Sequence, residues 1–277
     1  MKKLRISLLL LLTAFGALSV TPGEKTWTAI GDSITYLNDH LNETGDRVTK
    51  GYLTRVTERL PGIKYINQGH NGWSIVGIAR EAEKLGLQKS DIYSVFLGTN
   101  DWWQGLPLGT FDDYKNNTGL KTSCGAYRII IDKIKSLNPD ATIILITPMQ
   151  REDFVYIADK HNNATGSYTA KDGQLLSQFA DAVKQIGDYE HVKVIDLYYK
   201  SGMNLGNMVK FKRLKDPRTG LYKNYKYPDF QSIPFNPDTD EYPYPAKAID
   251  NTFDGLHPSD KGNQVIAGML VKALKKQ

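Results

Sequence analysis

The stretch "WTAIGDSITYLND" (residues 27–39) sets an apolar, β-branched run directly against Gly31, Asp32 and Ser33. A short run of that kind, closed by a breaker, reads as a sheet strand. Ser33 then either caps a helix, a role Ser and Asp both favour, or is a nucleophile held up at a strand end. Four more runs share the build: 63–67 ends at Gln68-Gly69, 92–97 at Gly98-Thr99-Asn100, 142–147 at Pro148, and 192–197 at Tyr198-Tyr199. Between them, Ile75, Ile78, Ala79, Ala82 and Leu85 recur at helical spacing, as do Tyr127, Ile130, Ile134 and Leu137. Val265, Ile266, Met269, Leu270 and Ala273 make a final stripe. Near-continuously apolar strands alternating with amphipathic helices argue an α/β fold, a three-layer α/β/α sandwich around a mostly parallel sheet. Ligands of such sheets bind beyond the carboxyl ends of the strands, so chemistry should be sought in those turns.

With 277 residues, 40% apolar and 23% charged, the composition is that of a globular protein with one large domain. Lys2, Lys3 and Arg5 precede an apolar run at 6–12 and then small residues such as Ala14, Gly16, Ala17 and Ser19. That is the layout of a secretory signal peptide over 1–19, an uncleaved anchor being the alternative. No later segment approaches the roughly 20 apolar residues of a membrane helix, so no stable membrane insertion is expected. The remaining 20–277 reads as a single domain carrying a Tyr- and Pro-rich insertion at about 200–251, where periodicity is lost. Its aromatics favour an ordered excursion over a linker. Loss of the leader lowers the formal charge from +5 to +2, which removes the electrostatic motive for binding nucleic acid. The single cysteine, Cys124, can form no internal disulfide and reads as a small buried thiol. Export to the periplasm or the exterior follows, and the lack of disulfides favours a bacterial source. Nothing in the sequence decides the oligomeric state.

The strand ends gather one chemistry. Asp32-Ser33 follows the first, "NQGHNGWS" (residues 67–74) the second and "GTND" (residues 98–101) the third, while "DGLHPSDKG" brings Asp254 and His257 just ahead of the last helix. Acyl transfer needs a nucleophile, a base, a group that orients the base, and donors aimed at the developing oxyanion. Ser33 offers the hydroxyl, His257 the imidazole, and Asp254 the carboxylate that would fix its tautomer. The backbone N–H groups of Ser33 and Gly72 and the amide of Asn100 are the oxyanion donors expected, glycine at 72 allowing close approach. Asp32 stays outside the set as a local support of the turn.

These motifs resemble those of the SGNH, or GDSL-type, hydrolases: Gly31–Ser33, the Asn-x-Gly-x-x-Gly-x-Ser form at 67–74, Gly98–Asp101 and Asp254–Pro258, in family order from about Trp27 to the end of the chain, the insertion excepted. The resemblance implies a flavodoxin-like sandwich and ester hydrolysis through a serine acyl-enzyme, with no metal and no other cofactor. It implies Ser33 as nucleophile, Asp254 and His257 as its partners, and Gly72 and Asn100 as oxyanion donors. The first motif reads Gly-Asp-Ser-Ile-Thr, a tolerated form of the family pattern.

For the substrate, the sequence offers Trp73, Trp102, Trp103 and the tyrosines of the insertion, Tyr244 among them. Aromatic faces beside polar groups suit sugar rings, although the same residues could simply seal the insertion to the domain. A lipase lid would be richer in Leu and Phe. The expected substrate is therefore a small-molecule or glycan ester, with a carbohydrate O-acetylester foremost. Lysophospholipase or lipase activity is the alternative within the class, and a glycan-binding protein without turnover the alternative outside it.

Overall fold

The computed structural model describes residues 23–275, so the leader read at 1–19 lies outside the described residues. Strand β1 (Lys25–Gly31) turns at Asp32 into the single-turn helix α1 (Ser33–Tyr36), with α2 (Tyr52–Arg59) beyond it. Strand β2 (Ile63–Gly69) feeds α3 (Ile75–Arg80), and β3 (Ile92–Phe96) feeds α4 (Thr99–Trp103), α5 (Phe111–Lys115) and α6 (Ser123–Leu137). After β4 (Thr142–Ile146) come the two-residue strands β5 (Phe154–Val155) and β6 (Asn163–Ala164), then α7 (Leu176–Glu190). The chain finishes with β7 (Lys193–Ile195), α8 (Leu197–Lys200), the hairpin β8 (Lys212–Lys215) and β9 (Tyr222–Tyr225), and α9 (Asp260–Leu274).

Five strands pair in the order β2-β1-β3-β4-β7, every pair parallel. This is the doubly wound arrangement whose ligands lie where the strand order reverses, beside β1. The register aligns the strand ends: Gly69 pairs Gly31, Gly31 pairs Phe96, Phe96 pairs Ile146, and Ile146 pairs Ile195. The turns that carry the polar motifs therefore leave the sheet from one row.

The central strands β1, β3 and β4 are buried on both faces, which is why they lack polar alternation. Ile92, Phe96, Ile144 and Ile146 join the core beneath α2 and α9, while Tyr93, Val95, Ile143 and Leu145 join the core beneath α3, α6 and α7. The stripe at 75–85 is helical only to Arg80, where the Glu81 N–H is shared between the carbonyls of Gly77 and Ala79 and the last turn tightens. Helix α7, with Leu176, Phe179, Val183 and Ile186 buried, is an element that the sequence reading passed over. Cys124 is buried at the start of α6, and burial pushes its thiol up to about 11.

The excursion at 200–251 is folded against the body. Val209 bridges Ile249, Phe230 and Tyr244 are buried, and Tyr242 and Tyr244 donate to the Val155 and Asp153 carbonyls. Lys212 reaches Asp153 at 2.6 Å. Much of its aromatic content thus supports the segment that follows β4.

Candidate active site

Asp32 ends β1 in extended geometry and caps α1 by accepting the Ile34 N–H at 2.9 Å, which stands Ser33 at the first helical position. Two hundred residues later, Asp254 accepts the Leu256 and His257 N–H groups on Oδ1, at 3.0 and 2.7 Å. This turn is closed by the Phe253 N–H on the His257 carbonyl at 3.0 Å, and Ser259 caps α9 just beyond it. The turn brings the second carboxylate oxygen of Asp254 to 2.7 Å from His257 Nδ1. On the other side of the ring, His257 Nε2 lies 2.9 Å from Ser33 Oγ. Phe253 stacks on the imidazole and Phe154 meets it edge-on, at centroid distances of 5.8 and 5.3 Å, so the ring is fixed by packing as well as by hydrogen bonds. Asp254 is fully buried and Ser33 and His257 nearly so.

The second motif supplies two glycines with different work. A Cβ on Gly69 would come within 2.2 Å of the Tyr36 nitrogen, so this glycine lets β2 lie close to α1. Gly72 has φ +76, a conformation that L side chains rarely adopt, and faces open space. Among the described residues, neither the Ser33 nor the Gly72 N–H donates to a protein acceptor. Asn100 gives one amide N–H to the Trp73 carbonyl at 3.0 Å and keeps the other. Asp101, adjacent in sequence, accepts from Ile75 N, Val76 N and Ser123 Oγ, and so locks the starts of α3 and α6 to the Asn100 turn. The "GTND" motif holds the positions of two helices as well as an amide.

Ser33, Gly72, Asn100 and His257 line one pocket of about 280 Å³. Asn71, Gln104 and Arg151 add polar wall, and Trp103, Phe154 and Leu256 apolar wall. Among the described residues no group of three or more His, Cys, Asp or Glu side chains is placed to hold a metal. The arrangement can pass a proton from Ser33 Oγ to His257 Nε2 while Asp254 steadies the charge left on the ring.

A family model described as the GDSL-like Lipase/Acylhydrolase family matches residues 29–265. The chain belongs to this family. A possible lipase from Chitinophaga pinensis shares its structure with a TM-score of 0.90 at 63% identity, over 91% of this chain and 98% of that one. A Lactobacillus plantarum protein gives 0.61 at 20% identity, over 92% and 98%. A catalytic mutant of Axe2, an acetylxylan esterase from Geobacillus stearothermophilus, gives 0.51 at 17% identity, over 90% and 94%. The last two likenesses are of fold alone. No curated protein matches the chain.

Against this GDSL-type site, the four aromatic candidates separate. Trp103 lines the pocket. Trp73 lies in a neighbouring cleft with Gly72 and Gln104, stacked on His70 at 4.7 Å. Trp102 is corrected: it is fully buried, gives its indole N–H to the Gln174 carbonyl at 3.0 Å, and packs on Leu176 and Phe179. Tyr244 is corrected as well, since it is fully buried with its hydroxyl on the Asp153 carbonyl. Both satisfy their polar atoms inside the protein and have none to offer a substrate. Arg151, Phe154 and Gln104 were missed, although Arg151 follows the end of β4, where the strand-end rule pointed.

Burial raises Asp32 to about 6, against the Ile34 N–H and the charge of His257, which lower it. The folded value lies above the roughly 3.9 of an unfolded chain. The native state therefore binds the extra proton, and the cost of the buried charge is full above pH 6 and relieved as pH falls toward 4. Asp32→Asn keeps a capping oxygen without the charge. It should raise the melting temperature at pH 8, by on the order of 1–3 kcal/mol of stability, and the gain should vanish near pH 4. Thermal unfolding at both pH values checks this, and a pH-independent gain would refute it.

Proposed function

We propose that this acylhydrolase is an exported carbohydrate O-acetylesterase that works through an acyl-enzyme on Ser33. Ser33 Oγ attacks the acetyl carbonyl as His257 Nε2 takes its proton, and Asp254 holds Nδ1 protonated and stabilises the imidazolium. The Ser33 and Gly72 N–H groups and the Asn100 amide receive the oxyanion. Collapse returns the proton to the departing sugar oxygen and leaves acetyl-Ser33. A water activated by the same imidazole then releases acetate. No step needs a metal or a redox group.

The observation that carries the substrate class is the wall around Ser33: Trp103 contributes an aromatic side chain while Asn71, Gln104 and Asn162 contribute amides in the same small pocket. That suits a short acyl group on a hydroxylated ring, whereas a long acyl chain needs a long apolar channel. The experiment is to compare acetate released from acetylated polysaccharides with fatty acid released from lysophospholipids. Turnover of the lipid alone would overturn the assignment in favour of a lysophospholipase, and no turnover of any ester would favour a glycan binder. Export rests on the Lys- and Arg-led apolar leader and is tested by the N-terminal sequence of the protein recovered outside the cytoplasm; an intact Met1 there would refute cleavage.

Asn100→Ala removes one oxyanion donor and should raise the barrier by roughly 2–4 kcal/mol, chiefly in kcat. Unchanged kcat on an activated acetyl ester would remove Asn100 from that role.

A further inference from the structure

We infer that Arg151 makes the pocket around Ser33 a carboxylate-binding site, so that the ester cleaved is carried by an acidic sugar. The inference rests on the acetylesterase assignment for the sugar and on Arg151 alone for the charge. Arg151 is 1% exposed yet lines the pocket that holds Ser33, Asn100 and His257. Burying a guanidinium is costly unless it is paired, and among the described residues none of the carboxylates around it pairs with it.

Asp153 is taken by Lys212 at 2.6 Å, by the Tyr168 hydroxyl and by the Gly166 N–H. Asp254 is committed to His257 and its own turn. Both carboxyl oxygens of Glu152 are sealed without a hydrogen-bond partner, and burial pushes that group up to about 9, so it carries a proton at neutral pH. Arg151, lowered by burial to about 10, stays charged there.

The guanidinium is held but not satisfied. Nη2 donates to the Thr165 carbonyl at 3.0 Å and Nε makes a long contact to the Glu152 carbonyl at 3.5 Å. Nη1 donates to no described residue, and it is not among the sealed polar atoms. Its carbon stands 5.5 and 5.4 Å from the rings of Trp102 and Trp103, which keep the group in place. Lys171 lies over the Trp103 ring too, with Nζ at 5.0 Å. Among the described residues no Asp or Glu lines the pocket. A neutral hydroxyl could be met by an amide at far lower burial cost, so a retained cation with free donors fits an anion, and the planar fork fits a carboxylate.

The test is calorimetric titration of the whole protein with D-galacturonate and with D-galactose, which keeps the ring and removes the charge. The acid should bind at least about tenfold more tightly. Arg151→Met should bring the ratio near one and Arg151→Lys should restore part of it, as a merely structural role would not. Equal affinities in the unaltered protein, or no saturable binding of the acid, overturn the inference even where the variants fail to fold. Acetate release from acetylated oligogalacturonides and acetylated xylooligosaccharides is measured alongside. A retained affinity ratio with no acetate from either would support the carboxylate site and refute the acetylesterase assignment. Acetate release with a ratio near one would do the reverse.

Discussion

Ser33→Ala should abolish hydrolysis of acetyl esters, with kcat/KM falling by about 10⁴–10⁶-fold, while the protein stays folded. The size of the effect follows from the proposed covalent step: an alanine methyl cannot attack, and the oxyanion donors are left with only the slower direct attack of water to assist. The fold should survive because among the described residues Oγ makes a single hydrogen bond, to His257 Nε2, and losing one typical bond costs about 1 kcal/mol. Asp32 still caps α1, and alanine is a good helix former at its first position. The measurements are steady-state kinetics with 4-nitrophenyl acetate and a melting curve. Retention of more than about a hundredth of the activity would exclude Ser33 as the nucleophile, given the losses seen when such a residue is removed.

Asp254→Asn should cost about 10³–10⁴-fold in kcat with a smaller change in KM. The amide oxygen can still accept the Leu256 and His257 N–H groups that shape the turn. Its NH₂ group would then face His257 Nδ1, where the carboxylate oxygen now sits at 2.7 Å. That reverses the tautomer: Nδ1 must accept, Nε2 carries the proton, and no lone pair remains to take one from Ser33. The imidazolium formed during attack would also lose its counter-charge. Asp254→Ala gives the structural contrast, since it frees the two N–H groups as well and should lower the melting temperature, which Asp254→Asn should leave nearly unchanged. Full activity in Asp254→Asn would assign the residue to the turn alone.

Much of this is legible in the chain because it is local. The apolar runs stop at breakers, and a parallel sheet leaves every strand end at one edge, as the Gly69–Gly31–Phe96–Ile146–Ile195 row shows. The Asp-x-x-His spacing lets one turn supply both side chains, so Asp254 and His257 could be paired on paper. Gly69 and Gly72 share one motif, and only space separates them: Gly72 lines the pocket while Gly69 is pressed on the α1 backbone.

The aromatics lay beyond that reach. Trp102 and Trp103 are consecutive on a five-residue helix, where a step of about 100° sends one side chain inward and the next toward the pocket. So short a helix has no periodicity to say which. Tyr244 is settled by a carbonyl 91 positions away. Arg151 belongs to the same class. Its neighbours Glu152 and Asp153 look like counter-ions in the sequence, and only the fold gives Asp153 to Lys212 and leaves Glu152 protonated. The sequence by itself determined the sheet, the order of its strand-end motifs and the Ser33, His257 and Asp254 set, because periodicity and breakers act over a few residues. The tertiary structure alone decided which aromatic meets the pocket and which charge stays unpaired, because burial and partnership are set by residues that are distant along the chain.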